Sequence, residues 1–373
     1  MGERPQSAGA GGLATGEREN KRPELDREGI LRCRFVAKAA YDGTDLAGWQ
    51  IQPNGNTVQN ALESVLTRIL YGRAAGQSTG MMPVGHVCRV AGCGRTDAGV
   101  HARAHVFHFD VEATHTAATE LAKQAWPENG DRGGSVPFPR LPFLCVAAQI
   151  GSRGLEAPAR ESAQAMCCMM MAKPAGNNLA QVHNRGLPPG VEILAVSPAP
   201  SNDWHARDSC TGKRYEYRVI EGHGGVFVNR YAWALGRGRG PLDLVAMQNA
   251  AILLLGRHNF ANFGDISEGD PRSPWKTVAR LTVERRGPTE DDPHATVTIA
   301  CECDRFLYHM MRYISGTLVQ VGLGKLSLDE FKAMRDTGGD NNIRYRSMRV
   351  LAPACGLTLH EVFYDGVDLF PAT

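Results

Sequence analysis

No stretch of this 373-residue chain holds about 18 consecutive apolar residues, so no membrane-spanning helix is expected. No charge of one sign dominates. Lys and Arg number 41 against 39 Asp and Glu, a formal net charge of +2, so no overall field forces a nucleic-acid reading. No C-x-x-C occurs among the ten scattered cysteines, which argues against a zinc ribbon or a thioredoxin-type pair. Free, buried thiols in a reducing compartment are the default for such a chain. No H-E-x-x-H is present. The first 30 residues lack an apolar core segment, so a secretory signal is not expected. They hold five basic residues and six acidic ones, which argues against an organelle transit peptide, and they are expected to be disordered.

What remains is ordinary globular composition, 43% hydrophobic and 21% charged, with a length that suggests two domains. Residues 32 to 41 alternate, with Cys33, Phe35, Ala37, Ala39 and Tyr41 on one face, which predicts a half-buried strand. Thr57 is placed to cap a helix whose apolar spacing runs through Val58, Leu62, Val65 and Ile69 until Gly72. Short strands are predicted at 87–91 and 104–111. From about 112 to 186 the pattern weakens and an irregular insertion is expected. Its C-C-M-M-M run at 167–171 reads as buried helix rather than a ligand cluster. The second half predicts strands at 213–220, 275–286, 294–304 and 357–364, and helices at 241–255 and 306–321. Ser327 and Glu330 form a capping box for a short helix. Both halves mix antiparallel strands with a few helices, an α+β class of two related units. From His205 to Gly240, seven Lys and Arg face three acids, an excess suited to phosphates or to a solvated strand face.

The segment G-C-G-R-T-D-A-G-V-H-A-R-A-H, residues 92 to 105, concentrates the chemistry. His101, His105 and nearby His108 suggest a metal site. The alternating H-V-F-H-F-D-V argues against it, because in a strand His108 points away from His105. The other candidate is Asp97, in a turn that follows a predicted strand, with Arg95 two residues before it. A guanidinium beside a carboxylate keeps it ionised and able to attack or to stabilise a cation. No second carboxylate lies close in sequence to make a glycosidase-like pair. An isolated T-D-x-G is more often a turn aspartate bonding its own backbone.

The longer string G-R-T-D-A-G-V-H-A resembles the signature of the tRNA pseudouridine synthase A family. So do A-Y-D-G-T-D-L-A-G-W-Q, L-P-P-G-V-E-I with W-H-A-R, T-G-K-R-Y-E-Y-R, G-R-H-N-F-A-N-F, S-P-W-K-T-V, F-L-Y-H-M-M-R-Y-I-S-G and G-L-T-L-H-E-V-F-Y. The resemblance covers about residues 32 to 110 and 187 to 365. It implies an isomerase that converts uridine to pseudouridine in tRNA, without metal or organic cofactor. The implied fold is a pair of pseudouridine-synthase subdomains with mixed, mainly antiparallel sheets, flanking helices and a central RNA-binding cleft. The halves would run 31–203 and 204–373, after a tail at 1–30.

Residue by residue, Asp97 matches the family's catalytic aspartate, Tyr215 its active-site tyrosine, and Arg312 the helix arginine that pairs with the aspartate. Phe306 and Leu307 match apolar residues of the uracil pocket. Arg95 and Arg207 match arginines at the site mouth. A homodimer acting on tRNA is implied, in the cytoplasm or nucleus, with organelles left open. Ala98 after Asp97 resembles the bacterial-type branch that modifies positions 38 to 40 of the anticodon stem-loop. The insertion, the tail and the long loop from Gly72 to His86 depart from the family pattern. Two other functions compete with this one. The first is a tRNA-binding protein with an RNA-folding role and lost catalysis. The second is a metal-dependent hydrolase built on the histidines.

Overall fold

A computed structural model describes residues 30–53, 55–71, 87–114, 186–236, 238, 241–266, 273–287, 295–338 and 343–370. The expected tail except Ile30, nearly all of the expected insertion with its Met-rich run, and the loop from Gly72 to His86 lie outside the described residues.

The first strand, β1 (Ile30–Tyr41), carries the expected apolar row, and Phe35, Ala37 and Ala39 are buried. The opposite face is less exposed than the alternation predicts. Val36 is buried there too, and Arg34 is bidentate to Asp110 at 2.7 and 2.9 Å. The reason is that β1 is an interior strand, paired with β3 on one side and β4 on the other. Helix α1 (Val58–Tyr71) begins as predicted, with Thr57 Oγ1 accepting from the Asn60 amide at 3.3 Å. β2 (Val90–Gly92) is shorter than expected, and β3 (His101–Thr114) is longer. β4 (Val191–Pro198) has no predicted counterpart.

The second half opens with β5 (Gly212–Ile220), whose Tyr215, Tyr217 and Val219 are buried as the alternation requires. A single turn, α2 (Gly225–Val228), and a two-residue strand, β6 (Trp233–Ala234), follow. Helix α3 (Leu244–Leu253) starts later than Pro241, because the Asp243 carboxylate caps it by accepting from the Ala246 amide. Then come β7 (Gly256–Asn259), β8 (Trp275–Arg286) and β9 (Thr296–Cys303). Helix α4 (Met310–Gly322) begins four residues after the predicted start. His309 takes a left-handed conformation, φ 60°, and Tyr308 bridges back to Asp265, so residues 306 to 309 approach the helix as a loop. Helix α5 (Leu328–Asp336) has the expected Ser327–Glu330 capping box, with both reciprocal bonds present. Helix α6 (Ile343–Met348) and β10 (Leu357–Phe363) complete the chain.

These strands form one mixed sheet, not two sheets side by side. Its order is β4-β1-β3-β10-β5-β9-β8-β7, with β2 added to β3 and β6 to β5. The C-terminal strand β10 joins the halves. It runs antiparallel to β5 and parallel to β3, where Thr358 and Leu359 meet His101 and Ala102. The strand that leaves the Asp97 turn thus lies one strand away from Tyr215. The core is continuous across the joint, with Phe35, Phe107 and Phe109 on one side and Tyr217, Phe260, Phe263 and Phe331 on the other. Helix α4 packs with Ile314, Leu318 and Val319 fully buried.

Candidate active site

The turn that carries Asp97 rests on the loop after β1. The Trp49 amide donates to the Thr96 carbonyl at 3.0 Å, and the Gly99 amide donates to the Leu46 carbonyl at 3.2 Å. Gly48, at φ 91°, sits where a Cβ would come within 2.6 Å of the Thr96 carbonyl oxygen, so that loop position requires glycine. Thr96 Oγ1 lies 2.8 Å from the Tyr41 hydroxyl, which also meets His105 Nδ1 at 3.0 Å. The turn is therefore fixed from below by buried polar contacts, and the Asp97 side chain stays partly exposed above them.

The guanidinium beside Asp97 is not that of Arg95. Arg95 is exposed and, among the described residues, makes no ion pair. Arg312 takes that place from α4, with Nη1 3.3 Å from Asp97 Oδ2. Arg312 is itself locked in place. Its Nε donates to the Ala352 carbonyl at 2.8 Å, and its own carbonyl accepts from the Ala352 amide at 3.2 Å. Both partners of the ion pair are largely withdrawn from water, where such a pair is stronger than on an open surface.

Tyr215 and Phe306 form one wall, edge to face with ring centroids 4.9 Å apart. Leu307 is buried beside them, against Gly264, where a Cβ would come within 2.7 Å of the Leu307 Cβ. Burial pushes the Tyr215 phenol up, and the nearby Cys93 and Asp97 add to the effect. Of the seven sequence-derived candidates, Asp97, Arg312, Tyr215, Phe306 and Leu307 come together. Arg95 and Arg207 are exposed, with no side-chain contact to that group among the described residues.

Five further residues lie at the site that sequence reasoning did not assign. His309 Nε2 is 3.5 Å from Asp97 Oδ2, and its Nδ1 is 2.8 Å from Asp265 Oδ2. Asp265 also meets Arg349 Nη2 at 2.7 Å and the Tyr313 hydroxyl at 3.2 Å. The available signal was F-L-Y-H-M-M-R, in which His309 and Arg312 stand three apart at the start of a helix. Lys213 is buried, and its Nζ lies over Gly94 of the motif, 2.8 Å from where a Cβ would be.

The motif histidines diverge. His105 stacks on Trp49 with centroids 3.8 Å apart. His108 accepts from the Ala206 amide, and His101 accepts from the Gly43 amide. Burial lowers the ring pKa of all three, to about 4 for His108. Among the described residues, no three His, Cys, Asp or Glu side chains gather as metal ligands. The basic excess at 205–240 is not a free stripe either. Arg214 pairs with Glu216, and Arg230 with Asp42 and Asp45. Arg237 and Arg239 lie outside the described residues.

Comparison with known proteins identifies the lineage of this arrangement. Residues 250–365 match a family described as tRNA pseudouridine synthase. The tRNA pseudouridine synthase A of Halalkalibacterium halodurans is 31% identical over 298 residues, covering 80% of this chain and 81% of that protein. The chain belongs to this family. The synthase A of Brevibacillus brevis is 30% identical over 340 residues, covering 90% of this chain and 99% of its own length. That of Nitrobacter hamburgensis is 30% identical over 333 residues, with 89% and 99% covered. The family match spans Asp265, Phe306, Leu307, His309 and Arg312, and the longer relatives extend the likeness over most of the chain.

Proposed function

We propose that this chain is a tRNA pseudouridine synthase that isomerises uridine in the anticodon stem-loop, with positions 38 to 40 as its targets. Membership of the family makes it an isomerase acting on tRNA. The reaction breaks the C1′–N1 bond, turns the uracil and rejoins it through C5, with no net redox change. The hard step is release of a base as an anion from a carbon that becomes electron-poor. The observation that carries the site assignment is the pairing of Asp97 with Arg312, 215 positions away in sequence, beside a wall of Tyr215 and Phe306.

In this reading Asp97 supplies the carboxylate, either to C6 of the uracil or to the ribose at C1′. Arg312 holds Oδ2 in an ion pair and so orients it. Tyr215 meets the extruded base as a neutral ring, because burial opposes its phenolate. Stacking therefore suits it better than standing as the base for C5. Phe306 and Leu307 close the apolar pocket. Exposed Arg95 and Arg207 serve tRNA phosphates at the mouth. The two halves, 31–203 and 204–373, act as subdomains around the cleft. The working form is a homodimer, and the compartment is the cytoplasm. Among the described residues, no helix is long and apolar enough to cross a membrane.

Incubation with unmodified tRNA followed by pseudouridine mapping tests the function. Product at 38 to 40 is expected from the native chain, without added metal. Asp97→Asn is expected to yield none while tRNA affinity stays within about threefold, since the residue acts in chemistry rather than in phosphate contact. No product with any tRNA at low salt would overturn the proposal.

A further inference from the structure

Two nitrogen-bearing side chains converge on one oxygen of Asp97. Arg312 Nη1 is 3.3 Å from Oδ2, and His309 Nε2 is 3.5 Å from the same atom. Among the described residues, Oδ1 has no hydrogen-bond partner. His309 is held with unusual care. It is the one non-glycine residue with positive φ among the described residues. That backbone region is sparsely populated by side-chain-bearing residues and persists only where surrounding structure enforces it. The enforcement is visible. Asp265 takes the Nδ1 edge at 2.8 Å, and Tyr308 stacks on the ring with centroids 3.7 Å apart. Asp265 is itself fixed by Arg349 and Tyr313, and Arg349 also bonds the Gly264 carbonyl at 2.8 Å.

An ionised carboxylate only accepts hydrogen bonds, so Nδ1 carries a proton toward Asp265. Burial works against ionisation of Asp265, but the His309 hydrogen bond and Arg349 outweigh it and hold its carboxyl low. The Nε2 edge then faces a second carboxylate. An N–H on that edge points at Asp97 Oδ2. At 3.5 Å the contact to Asp97 is electrostatic rather than a full hydrogen bond.

We propose that His309 is a positioning residue for Asp97. Asp265 fixes the ring, and the ring and Arg312 together pin Oδ2, so that Oδ1 is the oxygen presented to the substrate. This rests on the reading of Asp97 as the reacting carboxylate. The charged and titratable groups facing His309 are Asp97 from the turn, Asp265 after the 3-10 turn at Ala261–Phe263, Tyr308 before it, Arg312 and Tyr313 from α4, and Arg349 beyond α6.

Steady-state kinetics on unmodified tRNA, with native chain, His309→Asn, Asp265→Asn and the double variant, test this. Asparagine tolerates the left-handed backbone and still reaches Asp265, but it is too short to touch Asp97. His309→Asn is expected to lower kcat about 10- to 100-fold through misplacement of the carboxylate, with KM within about twofold. Asp265→Asn is expected to do the same, and the double variant to be no worse than His309→Asn. The loss of kcat with KM preserved is a split that a merely structural residue would not produce. Thermal unfolding and tRNA binding establish that the variants fold. Native kcat in folded variants, losses confined to KM, or additive losses would each overturn the proposal. If His309→Asn does not fold, Asp265→Asn decides it alone by the same kcat criterion. A native chain that forms no pseudouridine would instead defeat the functional reading itself.

Discussion

Arg312 performs two tasks with one side chain. Its Nε holds the Ala352 carbonyl while Nη1 reaches Asp97. A lysine offers one compact ammonium and cannot span both acceptors. Arg312→Lys is therefore expected to lower the single-turnover rate by roughly 10- to 100-fold while the protein stays folded. An unchanged rate would show that Asp97 needs only a nearby positive charge or none. Arg95 and Arg207 call for a different measurement. If each contacts a phosphate, Arg95→Gln and Arg207→Gln should each flatten the dependence of log affinity on log salt by roughly one, with kcat at saturating tRNA preserved. Asp97 was legible in sequence as a candidate because a turn after a strand projects a side chain. Its partner was not. Arg95 is near in sequence and Arg312 is near in space, and only the latter touches the carboxylate.

Helix α4 shows why the start of an element can hide from periodicity. The apolar spacing of Ile314, Leu318 and Val321 is real, and it fixes the buried face. The same spacing runs back through Leu307, but the chain there is a loop tied to Asp265 through the Tyr308 bridge. That tie is a tertiary contact with no local signature. The docking of α4 also depends on Gly316, where a Cβ would collide with the Val350 carbonyl oxygen. Val350 lies two residues before Ala352, the residue that holds Arg312. Gly316→Ala is expected to cost about 1–3 kcal/mol in urea unfolding, the usual penalty of overpacking against fixed backbone. It should also reduce activity by displacing Arg312. A stable, fully active variant would show that α4 can shift without disturbing the site.

At the scale of the whole molecule, the buried motif histidines couple stability to pH. His101, His105 and His108 are buried with ring pKa values below the ordinary 6.5, and His108 reaches about 4. As pH falls through 6.5, the unfolded chain takes up protons that the native chain refuses. Native stability therefore declines from that point, and the His108 contribution is fully lost below about 4. The urea midpoint is expected to fall between about pH 7.5 and about pH 5, before most carboxylates protonate, and less so in a folded His108→Gln variant. A flat midpoint across that interval would show that these rings ionise without strain. The same histidines illustrate what periodicity can read. Alternation along β3 separates His105 from His108, and the structure gives each its own partner.

The longer strands and helices, the Thr57 and Ser327 caps, the divergence of the histidines and the candidacy of Asp97 follow from sequence alone. Each depends on local rules: side-chain period, capping chemistry and turn geometry. The single sheet, the late start of α4, the company of Arg312 and the His309–Asp265 support needed the tertiary structure. The single sheet depends on β10 entering between β3 and β5, where Leu359 lies opposite both Ala102 and Tyr215 and so links the strand after the Asp97 turn to β5. No local pattern encodes that insertion, because pairing between distant strands is decided by the burial that the whole sheet achieves.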